Sequence, residues 1–196
     1  MRYSADITAG SLKIAESRII ADMLLKQVGE EVWREAIIKQ NVLQTRNPAT
    51  AIRIARLVRM RLELMNTDLW KLVRNGSNNV ATHALLAAAV KHSALLGDFL
   101  DLVVREQYRI FSKALTKSHW ENYLDSCRSR DPEMPLWNES TRRRLRSSVF
   151  QILSQAGYLE STRTLRLQPV HISPQVVHYL QDHEEAYVLR CIQVSP

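Results

Sequence analysis

The residues with the most distinctive chemistry lie on a polar, basic helix face predicted between Asn138 and Gly157. With about 100° between successive helical residues, two arginines share one face with small hydroxyl groups and an amide. This face comprises Ser140, Arg143, Arg144, Ser147 and Gln151. Arginine can bond the edge of guanine through two donors, glutamine can bond adenine, and short hydroxyl side chains let a helix approach a groove closely. The pattern therefore predicts contact with base edges in double-stranded DNA.

Three further arginines suit the phosphate backbone of a duplex. Arg142 and Arg146 flank the same helix face, and Arg163 lies in a polar segment that we expect to form the tip of a hairpin. Flanking cations hold phosphates and fix the orientation of a reading helix. Arg163 is predicted to contact either a phosphate or the minor groove. The alternative is that the run of arginines is an ordinary solvated helix face.

A second concentration of positive charge lies in residues 46–74, which contain seven basic and two acidic side chains. We predict a secondary basic surface that comprises Arg46, Arg53, Arg56 and Arg59. The alternative interpretation is favoured here, because these arginines occupy several helix faces. Some of them would then pair with acidic residues or extend their stems over apolar neighbours.

The distribution of charge supports a polyanionic partner more than the total does. The formal charge is +7, residues 46–74 carry +5, residues 138–166 carry +4, and the remainder of the chain carries −2. Concentrated positive charge is typical of proteins that bind nucleic acid.

Enzymatic chemistry is not predicted. The sequence contains no phosphate-binding glycine loop, nucleophile elbow, zinc-protease motif or paired CxxC motif. The strongest candidate for a metal site is a histidine and carboxylate cluster near the end of the chain: His171, His178, Asp182, His183 and Glu184. Its spacing matches no metal-binding pattern, so we expect no metal and no cofactor. Cys127 and His119 are too far apart along one helix to form a nucleophile and base, and Cys127 is predicted to be a small buried side chain.

Helical periodicity dominates the chain, so the predicted fold class is mainly α. Residues 1–112 are expected to form a helical bundle, including a helix from Asn47-Pro48 to about Met65 with apolar residues on two sides. Residues 113–175 show the order helix, turn, helix and hairpin. This order predicts a winged helix-turn-helix-like domain with a short β-hairpin around residues 161–164. Residues 176–196 are expected to pack on the rest.

Local signals place the two helices of the second part. Ser118 and Glu121 have the spacing of a capping box, and Asn138 is a suitable N-cap for the next helix. Gly157 is a suitable residue to end that helix.

The compartment expected from the sequence is the cytoplasm. The N-terminus lacks the apolar segment of a secretory signal, and two cysteines form no redox or metal motif. The longest apolar run, residues 84–90, is too short to span a bilayer, so no membrane partner is predicted.

The order and spacing of several short motifs resemble the BrxA proteins of bacteriophage exclusion (BREX) defence systems. The motifs are Tyr3-Ser4-Ala5, residues 16–21 (ESRIIA), 41–50 (NVLQTRNPAT), 104–108 (VREQY), 137–141 (WNEST) and 156–159 (AGYL). The resemblance implies a small helical protein, similar to the NusB-type antitermination fold in its N-terminal part and without known catalytic residues. It also implies a nucleic-acid-binding component of an antiphage system.

The sequence thus predicts a non-enzymatic protein that binds double-stranded DNA as an accessory factor in phage defence. RNA is a possible alternative ligand, as the NusB resemblance implies. A different alternative is a protein-interaction adaptor, in which the doubly apolar helix 47–65 docks on another defence protein.

Overall fold

The computed structural model describes residues 2–7 and 10–195, and the regular structure in these residues is helical throughout. The first seven α-helices are α1 (Ile14–Leu25), α2 (Glu30–Arg34), α3 (Pro48–Glu63), α4 (Thr67–Asn75), α5 (Asn78–His92), α6 (Ala94–Asp98) and α7 (Arg105–Arg109). They are followed by α8 (Lys117–Arg130), α9 (Glu139–Gln155), α10 (Pro174–Asp182) and α11 (Ala186–Ile192). Two stretches of π-helix, Glu35–Lys39 and Phe99–Val104, continue α2 and α6. The predicted mainly α class is confirmed.

Helix α5 is the centre of the N-terminal bundle. Every residue from Val80 to Val90 is buried, and α1, α3, α4, α10 and α11 all contact this helix. Alanines at positions 84 and 87–89 present little side-chain volume, so the neighbouring helix axes can approach closely. Because neighbouring helices surround this segment, it exposes no polar face, and apolar side chains occur all round it.

Helix α3 begins as the sequence predicts. The Asn47 side chain accepts a hydrogen bond from the Thr50 backbone N–H at 2.8 Å, and Pro48 occupies the first helical position. One apolar side of the helix is buried. On the other side Met60 and Leu64 remain exposed, so the second apolar stripe is only partly covered.

Helix α4 was not predicted from the sequence. Its N-cap is Asn66, whose side chain accepts from the Asp68 N–H at 3.0 Å. Only Leu69 and Val73 of this helix are buried, and its nine residues are fewer than the roughly 11 or more over which helical periodicity is assessed.

The predicted cap of α8 is displaced by two residues. Thr116 is the N-cap, with its hydroxyl accepting from the His119 N–H at 3.2 Å, and the His119 ring accepts from the Thr116 N–H. Ser118 therefore lies inside the helix, and Glu121 is free to make other contacts. The predicted N-cap of α9 is confirmed, because Asn138 accepts from the Thr141 N–H at 2.9 Å.

The predicted C-terminal winged helix with a β-hairpin is wrong. Residues 158–160 and 165–167 form no strands, and the described residues contain only two isolated antiparallel bridges, Leu159 with Leu167 and Ala114 with Arg166. Leu165 adopts a left-handed backbone with φ of 53°, which interrupts the extended conformation that a strand requires. Its N–H bonds to the Ser161 carbonyl at 3.1 Å, so the segment closes as a turn.

The N-terminal segment connects the bundle to α8 and α9. Asp131, which follows α8, accepts from the backbone N–H groups of Arg2 and Tyr3 at 2.5 and 3.1 Å. The Tyr3 hydroxyl donates to Asp98 at the end of α6 at 2.7 Å. A further bond runs from the Leu12 N–H to the Gln155 side chain of α9, at 2.9 Å. These bonds fix the position of α9 relative to the bundle.

The apolar interior is continuous across the predicted parts of the chain. Buried side chains from residues 1–112, 113–175 and 176–196 form one cluster, and α10 and α11 pack against helices of the bundle. The three-part domain division and the NusB-like character of the bundle stay predictions.

Candidate nucleic-acid interface

Helix α9 has one buried face and one exposed face, and the exposed face contains the polar, basic residues identified in the sequence. Leu145, Val149 and Ile152 are fully buried. The exposed face comprises Ser140, Arg143, Arg144, Ser147 and Gln151. We call these five residues the α9 face. A helix of 17 residues is about 25 Å long, so the α9 face is an extended strip rather than a single point.

Positive charge on the α9 face is largely free to meet a ligand. Arg144 has no ion-pair partner among the described residues. Arg143 lies 3.5 Å from Glu139 of its own helix, but both side chains are about two-thirds exposed, at 65% and 70%. Such a pair is worth little, because water screens it and both side chains stay mobile. Ser140 donates to Asn138 Oδ1 at 2.8 Å and so supports the N-cap.

Arg142 and Arg146 behave differently from the α9 face, because both contact α8. Arg142 Nη2 lies 2.9 Å from Glu121 Oε2 and 3.3 Å from Asp125, while Arg146 Nη1 lies 2.6 Å from Glu121 Oε1. Burial alone would lower the pKa of Arg142, but the bonds to the two carboxylates outweigh it and raise that pKa. The proposed phosphate role of these two arginines stays a prediction.

Arg163 lies at an exposed turn formed by residues 161–164. Ser161 Oγ accepts from the Arg163 and Thr164 N–H groups at 3.3 and 3.1 Å, and Thr164 donates to Glu160 at 2.8 Å. The backbone of this turn is therefore well braced, while no described carboxylate pairs with the Arg163 side chain. The Leu115 N–H bonds to the Leu165 carbonyl at 2.9 Å, which places the turn beside the start of α8.

The secondary basic surface is divided by the structure. Arg46, Arg53 and Arg56 are exposed and have no ion-pair partner in residues 2–7 and 10–195. Arg59 is partly buried, bonds Glu30 at 2.8 Å and Glu63 at 2.7 Å, and stacks over the Trp33 ring at 4.6 Å.

The remaining basic residues of segment 46–74 do not join a common surface. Arg61 is buried, Lys71 pairs with Asp68 at 2.9 Å, and Arg74 pairs with Asp22 at 3.1 Å. The charge of +5 in the sequence is thus spread over several sides of the bundle.

The side chains weighed for catalysis are not assembled into a site. Within the described part of the chain, no three His, Cys, Asp or Glu side chains lie close enough to hold a metal ion. His183 instead stacks on Tyr179, with ring centroids 4.3 Å apart. Cys127 is fully buried and burial raises the pKa of its thiol, while His119 caps α8. In addition, no helix of the described residues is long and apolar enough to cross a membrane.

Glu121 is the residue that the sequence interpretation misassigned. Its spacing from Ser118 suggested a capping box, whereas in the structure its carboxylate connects α8 to α9. A signal was present in the spacing of Arg142 and Arg146, which are one helical turn apart and can share one carboxylate.

Comparison with known proteins decides the family. The family model for BrxA matches residues 1–184. The chain belongs to the BrxA family. This membership makes it a component of BREX antiphage defence, and it confirms the resemblance found in the sequence.

Relatives of this BrxA-family chain cover nearly its full length. A BREX protein BrxA of Paramagnetospirillum magneticum is 54% identical over 99% of this chain and 98% of its own length. A BREX protein BrxA of Escherichia coli O9:H4 is 32% identical over 91% of this chain and 84% of its own length. The crystal structure of a protein from Magnetospirillum magneticum aligns with this chain over the full length of both proteins, with 52% identity and a TM-score of 0.93.

Proposed function

We propose that this BrxA-family chain binds double-stranded DNA through the α9 face, as a non-enzymatic accessory component of its defence system. The observation that supports this most directly is the contrast within one run of arginines. Arg142 is engaged by the carboxylates of α8, whereas Arg143 and Arg144 project from an exposed face that no other element supplies with a carboxylate.

The α9 face has dimensions and chemistry that suit the major groove. The groove is about 12 Å wide and accepts a single helix. Ser140 and Ser147 leave room for close approach, and Arg143, Arg144 and Gln151 offer donors to base edges. The N-terminus of α9 adds the positive end of the helix dipole, which favours a nearby phosphate.

Supporting contacts hold the α9 face in place. Glu121 ties Arg142 and Arg146 to α8, and Gln155 ties the far end of α9 to the N-terminal segment. Arg163 projects from a braced turn and adds a phosphate contact in this proposal. Electrostatic binding to phosphates supplies most of the affinity for DNA of any sequence, so the proposal concerns affinity before sequence preference.

Binding to a fluorescein-labelled random duplex, measured by anisotropy across a salt series, tests the proposal. We expect the Arg143→Ala/Arg144→Ala variant to lose about tenfold or more in affinity and to show a shallower salt dependence, because it removes two cations from the face that meets the duplex. Arg109→Ala is the matched control, since Arg109 is an exposed arginine on α7. Both variants should melt like the unmodified protein.

Two outcomes would overturn this proposal. The first is unchanged affinity of the double variant, and the second is no binding to the duplex at low salt. A matched single-stranded RNA belongs in the same series. RNA recognition relies on exposed aromatic platforms. Phe111, two residues beyond the end of α7, is the aromatic residue among the large exposed apolar side chains in the described part of the chain. Tighter RNA binding that needs Phe111 would move the assignment to RNA.

A further inference from the structure

A groove of about 520 Å³ lies between α3 and the helix formed by α2 and its π-helical continuation. Its apolar surface comes from Trp33, Ile37 and Ile38 on one wall and from Ile52 and Ala55 on the other. Ile52 is 46% exposed although it is a large apolar residue. The groove thus offers unburied apolar surface bounded by two helices.

One wall of the groove includes residues of the π-helix Glu35–Lys39. Ile37 and Ile38 lie in this π-helix and both line the groove, Ile37 buried and Ile38 half-buried. Single π-helical turns inside α-helices are uncommon and occur frequently at functional sites.

The rim of the groove is positively charged. Arg34 and Arg56 line it and have no ion-pair partner among the described residues. The carboxylate of Glu30 also lines the groove, but it is bonded to Arg59 at 2.8 Å. Two cations therefore face the groove without neutralisation.

We propose that this groove binds an acidic amphipathic helix of a partner protein. An apolar stripe on such a helix would bury Ile52 and Ile38, and its flanking carboxylates would meet Arg34 and Arg56. In helix-in-groove recognition the docking helix places apolar anchors spaced three to four residues apart in a hydrophobic groove, and Ile38 and Ile52 supply apolar surface on the two walls here.

The positive rim and the exposed apolar lining of the groove together favour a protein over nucleic acid as its occupant. A phosphate backbone brings charge but no apolar side chains to cover Trp33, Ile38 and Ile52. An acidic partner helix supplies negative charge and apolar side chains. The groove also lies on different elements from the α9 face, so the two ligands need not compete.

A designed peptide provides the probe. It is a fluorescein-labelled helix of about 15 residues with leucines at three- and four-residue spacing and glutamates elsewhere. The control peptide carries lysine in place of every glutamate. We expect the full-length protein to bind the glutamate peptide at micromolar concentration and the lysine peptide about tenfold more weakly or not at all.

Two groove variants and one control variant locate the binding site. Ile52→Glu and Arg56→Glu should each weaken binding of the glutamate peptide by about tenfold or more, through lost apolar contact and reversed charge respectively. Arg128→Glu makes the same charge change at an exposed position on α8 and should leave the affinity for the glutamate peptide within about twofold of the unmodified protein. Because Ile52 and Arg56 are exposed, both variants should retain the melting temperature of the unmodified protein.

The result that overturns the inference is distinguishable from failure of the DNA proposal. The groove is not a peptide site if both peptides bind equally, if neither binds, or if the two groove variants leave binding unchanged. A loss of duplex affinity in Arg56→Glu with no effect on the peptide would assign the groove to nucleic acid instead. The Arg143→Ala/Arg144→Ala variant should still bind the peptide fully, whatever its affinity for DNA.

Discussion

Arg146 donates to Glu121 Oε1 at 2.6 Å and so ties α9 to α8 within one helical turn of the exposed Arg143 and Arg144. Arg142 bonds the other oxygen of the same carboxylate at 2.9 Å. Arginines close together in sequence thus have different surroundings: Arg142 and Arg146 bond Glu121, whereas Arg143 and Arg144 are exposed. One carboxylate therefore connects two arginines of α9 to α8.

Glu121→Gln should lower the free energy of unfolding by about 1 kcal/mol, because two charge-assisted hydrogen bonds become neutral ones. The Glu121 side chain is 31% exposed, so screening by water limits the effect. Urea unfolding monitored by circular dichroism measures the difference, which should shrink at high salt.

Glu139→Gln is the matched control for this prediction, because its 3.5 Å pair with Arg143 is exposed. Its effect on stability should be close to zero. Equal effects of the two substitutions would show that Glu121 does not hold α9.

Fold class was predictable from the sequence because helical periodicity is a local signal. The caps of α3 and α9 were predictable for the same reason, since Asn47 and Asn138 act on N–H groups three residues away. The predicted hairpin is wrong for a reason that the sequence does not show. The left-handed backbone at Leu165 makes the segment a turn, and no residue type there indicates this conformation.

The candidate site was predictable only in part. Burial of Leu145 and exposure of Arg144 follow from helical spacing, so the α9 face could be assigned without the structure. The partners of Arg142 could not, because Glu121 lies 21 residues earlier and its contact depends on how two helices pack. The α2–α3 groove could not be predicted either, because it depends on how two segments pack, and no sequence pattern indicated the π-helix in one of its walls.

Arg61→Met should leave the protein equally stable or stabilise it by about 1 to 3 kcal/mol. Arg61 is buried, its Nη1 donates to the Ser11 carbonyl at 3.0 Å, and its Nε and Nη2 have no hydrogen-bond partner among residues 2–7 and 10–195. Burial lowers the pKa of Arg61 to about 10, which means that the folded state disfavours this cation. Methionine has a similar length and no charge to desolvate.

Chemical denaturation of Arg61→Met beside Arg61→Ala measures this effect. The alanine variant should be less stable than the methionine variant, because it leaves a cavity. A large loss of stability in the methionine variant would indicate that the buried cation is required for folding.

Gly76→Ala should destabilise the junction between α4 and α5 by about 1 to 3 kcal/mol. A Cβ at this position would lie 2.4 Å from the Leu72 carbonyl oxygen and 2.7 Å from Val80 Cγ1. Gly29→Ala is the control, because a Cβ there meets nothing within 4 Å. The expected difference in melting temperature is several degrees, measured by differential scanning calorimetry. Equal melting temperatures would mean that the junction relaxes without cost.

The tyrosines should ionise at a higher pH in the folded protein than in the unfolded chain, and their ionisation should accompany alkaline unfolding. Burial raises the pKa of all six tyrosines in the chain, and for Tyr108 it raises the pKa to about 12. Hydrogen bonds to Asp98 further raise the pKa of Tyr3 and Tyr187.

The sign of the pH dependence follows from these shifts. Below about pH 10, the phenols are neutral in both states, and their contribution to stability is complete. Above that pH, the unfolded chain loses protons that the folded chain retains, so the free energy of unfolding falls as pH rises. Absorbance at the tyrosinate band and far-ultraviolet circular dichroism, followed in one alkaline titration, should therefore change together in a single cooperative step. Gradual ionisation centred near pH 10 with full helicity retained would contradict the burial of these rings.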